Sequence, residues 1–183
     1  MKPFLSIAAM CVALTIGYGL VHDQVTARVC MEYFTLGHHT PPFVPRNPTA
    51  LGLFWGVAAT WWVGAGIGVP LACAARLGRL PQLAPKALAE PILRLLLATL
   101  GIAMAGLTLT LFLGLARLLP ESAYLQVPFG VPDERRAGFV ADAVAHNLSY
   151  GLGFFGGVRL WINALLLRRR LQAGEAAIES PSA

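Results

Sequence analysis

Charge is what this sequence has least of. Among 183 residues there are 14 Lys or Arg and 9 Asp or Glu, 13% in all, where a soluble domain carries about 25%. So poor a supply cannot keep a large surface in water. With 56% hydrophobic residues and a mean hydropathy of +0.64, the composition also excludes a disordered chain. The formal charge of +5 is no sign of a nucleic-acid partner, because the basic residues cluster beside the ends of apolar runs. Cysteine is scarce as well. There are three, Cys11 and Cys73 lie inside apolar runs, and Cys30 stands alone in a loop. No CxxC occurs, which excludes a disulfide framework, a zinc ribbon and a thioredoxin-type site. HExxH, CxxCH and paired Glu-x-x-His are missing too, and with them the usual zinc-protease, c-type haem and di-iron signatures.

What the chain does have is length without charge. Four apolar stretches, about 4–21, 49–75, 91–118 and 139–167, each reach the roughly 20 residues that a helix needs to cross a bilayer. The pattern predicts an all-α fold, a four-helix transmembrane bundle forming one domain over 1–172, with a flexible cytoplasmic tail over 173–183. Met1-Lys2 and the first run also have the form of a secretory signal, with small residues at Val25-Thr26-Ala27. At about 18 residues, however, the run exceeds a signal core of about 7–15, so a retained anchor is expected.

Loop charges set the expected orientation. Lys2, then Arg76, Arg79 and Lys86 between spans two and three, then Arg168-Arg169-Arg170 after span four all fall on one side if the spans alternate. By the positive-inside rule that side is cytoplasmic, and the triplet reads as an anchor or a headgroup contact. Span two carries Gly52, Gly56, Gly64 and Gly68 on one stripe, and span four carries Gly153 and Gly157. Such small-xxx-small spacing lets backbones approach, so spans two and four are expected to pack closely. Trp55, Trp61 and Trp62 lie off that stripe and are expected to face lipid or the interface. Pro91 suits the first turn of span three.

The polar residues gather on the other side. From Gln24 to Leu36 no Gly or Pro intervenes, and Gln24, Arg28 and Glu32 share a polar stripe, so a further helical segment with an Arg28–Glu32 ion pair is expected. On span four, Asp142, His146 and Tyr150 descend one face at intervals of four. An acid and a histidine at such depth turn toward the bundle interior and find partners. All four histidines, His22, His38, His39 and His146, thus fall on one side, with Asp23, Glu32 and Asp142. Imidazole with carboxylate suits zinc, iron or copper, and two histidines across helices can ligate haem. The candidate metal ligands are His22, Glu32, His38, Asp142 and His146; Asp23, Gln24, Arg28 and Tyr150 complete a polar network. The same residues equally build a structural lock with no cofactor at all.

The string His22-Asp23-Gln24, Arg28, Glu32-Tyr33-Phe34-Thr35, then Ala59-Thr60-Trp61-Trp62, resembles a group of uncharacterised bacterial four-helix membrane proteins. Ala141-Asp142, His146, Ser149-Tyr150, Gly153-Phe154 and Gly156-Gly157 are similar to that group's last helix. The resemblance implies a small bacterial inner-membrane protein and no reaction; that both termini are cytoplasmic is the expectation from the loop charges. Two functions therefore stand: a structural or accessory membrane protein, working with the bilayer and a membrane-protein partner or a second copy, or a metal- or haem-binding redox protein. A transporter fits less well: transporters often show paired broken helices at the membrane centre, and the polar residues here lie near one surface instead.

Overall fold

The structure, a computed structural model, describes residues 1–179, with side chains through Gly174. It is all helical among the described residues: α1 Lys2–Val29, α2 Met31–Thr35, α3 Pro48–Ala58, α4 Trp61–Arg76, α5 Pro85–Leu115 and α6 Asp133–Glu179, with a 3₁₀ turn at Glu121–Tyr124. α3 and α4 together form one span, so four segments are long and apolar enough to cross a membrane: Lys2–Val29, Pro48–Arg76, Pro85–Leu115 and Asp133–Gly174. The end of the bundle carrying the α1–α3 and α5–α6 connections is called upper, the opposite end lower.

Local chemistry explains the boundaries. Asn47 caps α3 by accepting from the Ala50 N–H, and Pro48 follows at a position where no amide is needed. Span two breaks at Ala59-Thr60. There the Thr60 hydroxyl donates back to the Gly56 carbonyl, and the Thr60 amide turns to Val57 in a tighter bond. Such back-bonding bends helices. α1 runs past the expected limit of the first span to Val29 and stops where Cys30 turns extended (φ −146°). Span three begins at Pro85, and Pro91 lies inside α5 instead of opening it. α6 continues through Glu179, within the stretch read from sequence as a tail, while residues 180–183 lie outside the described residues.

Around the bundle, α1 packs on α3, α4 and α5, and α6 packs on α4 and α5. The glycines decide the first of these. A Cβ at Gly52 would meet the Asp23 backbone at 2.8 Å, at Gly56 the Leu20 Cα at 2.8 Å, at Gly64 the Val12 Cα at 2.7 Å and at Gly68 the Ala8 Cα at 3.1 Å. The stripe on span two therefore lies against α1, not against span four. On α6, a Cβ at Gly157 would meet Ile67 Cγ1 of α4 at 3.1 Å, but one at Gly153 would meet nothing within 4 Å, so Gly153 is no packing glycine.

The lower end is tied by Arg168, only 1% exposed. Its guanidinium donates to the carbonyls of Ala74 (2.5 Å), Leu77 (2.8 Å), Leu80 (2.8 Å) and Pro81 (2.8 Å). The first two are carbonyls at the end of α4, which a helix leaves without partners of its own. The triplet thus divides: Arg169 and Arg170 are exposed, as an anchor should be, while Arg168 points inward and holds the α4–α5 connection.

Candidate functional site

Packing of α1 places its buried stripe, Ile7, Cys11, Thr15, Gly19, His22, Asp23 and Thr26, toward the bundle axis. His22 lies 20 residues above Lys2, about 30 Å along the helix. It therefore sits near the upper edge of a hydrocarbon layer about 30 Å thick. Opposite it, α6 buries Ala141, Asp142, Ala145 and His146. His22, Asp23 and His146 meet there, 2%, 3% and 9% exposed, with one donor atom from each lying within 4.8 Å of the others.

Hydrogen bonds fix how the rings are turned. His146 Nδ1 donates to the Asp142 carbonyl at 2.8 Å, which can only accept, and its Nε2 faces Asp23 Oδ1 at 3.4 Å. His22 Nδ1 lies 2.8 Å from the same Asp23 Oδ1, and its Nε2 lies 3.2 Å from the Ser149 hydroxyl. Ser149 also reaches the Ala145 carbonyl at 2.8 Å and the Tyr18 hydroxyl at 2.6 Å. One nitrogen of each imidazole thus meets one carboxylate oxygen. The rings are edge to face, with centroids 4.7 Å apart.

Aromatic rings enclose the upper side. Tyr33 stacks on His146 with centroids 4.5 Å apart. Trp55 is held by its indole N–H to Thr40 Oγ1 (3.0 Å), and Thr40 in turn donates to the Phe34 carbonyl. Between these rings, Trp62 and Tyr150 lies a cavity of about 180 Å³ with Asp23 and His146 on its wall. Trp55 is therefore a wall of the site and not a lipid-facing residue, whereas Trp61 and Trp62 are half exposed.

The other sequence-derived candidates stand apart from this cluster. His38 Nδ1 donates to the Tyr33 carbonyl (2.9 Å), and the residue lines the cavity without joining the triad. His39 is exposed. Glu32 accepts from the Cys30 thiol (3.4 Å). The expected Arg28–Glu32 pair does not form: Arg28 donates to the Gln24 carbonyl and side chain and to Thr49 Oγ1, tying α1 to the start of α3. The carboxylate of Asp142 is buried, and neither oxygen has a hydrogen-bond partner among the described residues; only its backbone serves the site, by orienting His146. Tyr150 lines the cavity, stacked against Trp62 at 6.4 Å. Sequence reasoning overlooked Tyr18 and Ser149. Their signals were present: Tyr18 is four residues from His22, and Ser149 three from His146, each one helical turn away.

Cys30 gives the first test. It is fully buried, and desolvation pushes its thiol from 9.0 up to about 12. The reactive thiolate is accordingly scarce at neutral pH. Maleimide should leave Cys30 unmodified in the folded protein at pH 7–8 and label it after denaturation, as peptide mass spectrometry would show. Because the folded value is raised, the contribution to stability is complete below about pH 9 and is lost as pH rises toward about 12.

The class these helices define is an all-helical membrane protein of several spans. Comparison with protein-family models, curated proteins and solved structures finds no match to this chain.

Proposed function

We propose that this chain is a multi-pass protein of the bacterial inner membrane, both termini cytoplasmic, that binds one divalent transition-metal ion of the zinc class at its exoplasmic end. The ligands are His22 Nδ1, Asp23 Oδ1 and His146 Nε2. The observation that carries this reading is the buried convergence of a ring nitrogen from His22 and one from His146 on the same Asp23 carboxylate oxygen.

Bonds of about 2.0–2.1 Å in a tetrahedron put neighbouring donors about 3.3 Å apart; His146 and Asp23 lie 3.4 Å apart, His22 and Asp23 2.8 Å, and all three donor atoms within 4.8 Å, so the side chains must shift to draw around a bound ion. The other ring nitrogen of each histidine is held too, that of His146 by the Asp142 carbonyl and that of His22 by the Ser149 hydroxyl, as in metal-ligating histidines. Haem fits poorly, because rings 4.7 Å apart leave no gap for a macrocycle between them. Three protein ligands leave a fourth position open, the arrangement of a reactive or substrate-binding site and not of a purely structural one.

A second reading has its own support. Tyr18, Ser149, His22, Asp23 and His146 form an unbroken chain joining α1 to α6, which suits a polar lock. Equilibrium dialysis of detergent-purified protein against zinc separates the two. About one ion per chain is expected, with affinity reduced at least tenfold in His22→Ala, Asp23→Asn and His146→Ala. Wild type binding no more than these variants, with His146→Ala only less thermostable, would leave the lock alone standing.

A further inference from the structure

The cavity of about 180 Å³ beside the triad has a wall made mostly of rings. Trp55, His38, Tyr33 and His146 form a continuous series along it, with neighbouring centroids 5.2, 4.8 and 4.5 Å apart. Trp62 and Tyr150 add a stacked pair, and Ala58 and Ala59 are the small residues of the lining. The series is fixed before any ligand arrives. The Trp55 indole N–H donates to Thr40 Oγ1 at 3.0 Å, and His38 Nδ1 donates to the Tyr33 carbonyl at 2.9 Å. Within this lining Asp23 is the one residue among Asp, Glu, Lys and Arg, and it is 3% exposed. Its Oδ1 takes both imidazole contacts, while no hydrogen bond among the described residues reaches Oδ2.

We propose that this chamber binds a small quaternary ammonium ion of about the size of choline, its head among the rings and its charge against Asp23. The site needs no metal. A lone carboxylate with no Lys or Arg beside it selects a cation. The rings select its kind, because a cation is attracted to an aromatic face when it lies within about 6 Å of the centroid. A quaternary head donates no hydrogen bond, which suits a lining with few acceptors besides Asp23. A primary ammonium would bring three donors, and a calcium or magnesium ion would need about six oxygen ligands. Size agrees: an apolar cavity of about 150 Å³ already takes benzene, and choline is a molecule of that class. The missing Lys and Arg also decide between two sources of such a head. A phosphate would find no partner in this lining, so the ligand is a free cation and not the headgroup of a phosphatidylcholine.

The test is equilibrium binding of radiolabelled choline to protein purified in a maltoside detergent. EDTA is present throughout, because zinc on the triad would cancel the Asp23 charge; the result then stands apart from the metal reading. Saturable binding is expected, with tetramethylammonium displacing the label. The uncharged carbon analogue of choline, 3,3-dimethylbutan-1-ol, and phosphocholine should each compete at least tenfold more weakly. Asp23→Asn, which keeps the shape of the side chain, should weaken binding at least tenfold. Trp62 is 52% exposed and lines the cavity, so Trp62→Ala should do the same without unfolding the bundle, and it decides even where Asp23→Asn costs the fold. Trp61, 53% exposed and outside the lining, is the control, and Trp61→Ala should bind as wild type does. Absence of saturable choline binding overturns the assignment. So does equal competition by the uncharged alcohol or by phosphocholine, wild-type affinity in Asp23→Asn or Trp62→Ala, or an equal loss in Trp61→Ala. Each of these results leaves the metal reading intact.

Discussion

Gly64→Leu is expected to yield no monodisperse folded protein, while Gly66→Leu, two residues away, folds and melts as wild type does. The difference is the facing surface. A Cβ at Gly64 would lie 2.7 Å from the Val12 Cα and 3.1 Å from the Cys11 carbonyl oxygen, whereas one at Gly66 meets nothing within 4 Å. Main chain cannot swing aside as a side chain does, so α1 and α4 must part. Inserting a few methylenes into a packed core already costs about 1–3 kcal/mol, and here the contact recurs at Gly52, Gly56 and Gly68 along the same seam. On the open face the change removes a flexible glycine from a helix, worth up to about 1 kcal/mol in the variant's favour. Size-exclusion chromatography and thermal circular dichroism in detergent check both. A Gly64→Leu protein with the wild-type elution volume and midpoint would refute the α1–α4 contact.

Arg168→Ala should be the most damaging change at any charged residue. It removes one guanidinium and strips partners from four carbonyls at once, those of Ala74, Leu77, Leu80 and Pro81. Each buried carbonyl left alone costs about 1–3 kcal/mol. Water reaching the lower end recovers part of this, so a net loss of about 3–5 kcal/mol is expected, and a midpoint lower by about 10 °C. Arg168→Lys keeps the charge but not the planar fork of donors, and should fall between. Arg169→Ala and Arg170→Ala, at exposed positions, should stay within about 0.5 kcal/mol of wild type. If all three arginine variants melt together, the inward role of Arg168 is wrong.

These two sites show where local pattern stops informing. Both were visible as patterns, a glycine stripe and an arginine triplet. Spacing of four says that a helix face is flat; it does not say which helix lies against it, and α1 carries no matching glycine stripe to advertise itself. Likewise three consecutive arginines point in directions about 100° apart around a helix, so one of them must face differently from the others. Which one turns inward depends on where the α4–α5 connection passes. The break at Ala59-Thr60 was hidden for a related reason: threonine followed by two tryptophans is an ordinary helix-compatible run, and the back-bond from the Thr60 hydroxyl to the Gly56 carbonyl lies where Gly19 of α1 packs against both residues. The site divides in the same way. Burial of His22, Asp23, Asp142 and His146 follows from placing polar groups in an apolar run, but how the two rings are turned depends on the Asp142 carbonyl and on Ser149.

By itself the sequence determined four spans, an all-helical fold and a gathering of polar residues toward one end, because hydrophobicity and helical period are local properties and a bilayer imposes a length. Only the tertiary structure decided that α1 is the partner of the glycine seam, that Arg168 closes the lower end, and that His22, Asp23 and His146, rather than Glu32 or His38, come together. Those outcomes depend on how distant segments approach within a few ångströms, which hydrogen-bond direction and backbone clearance settle and residue order does not.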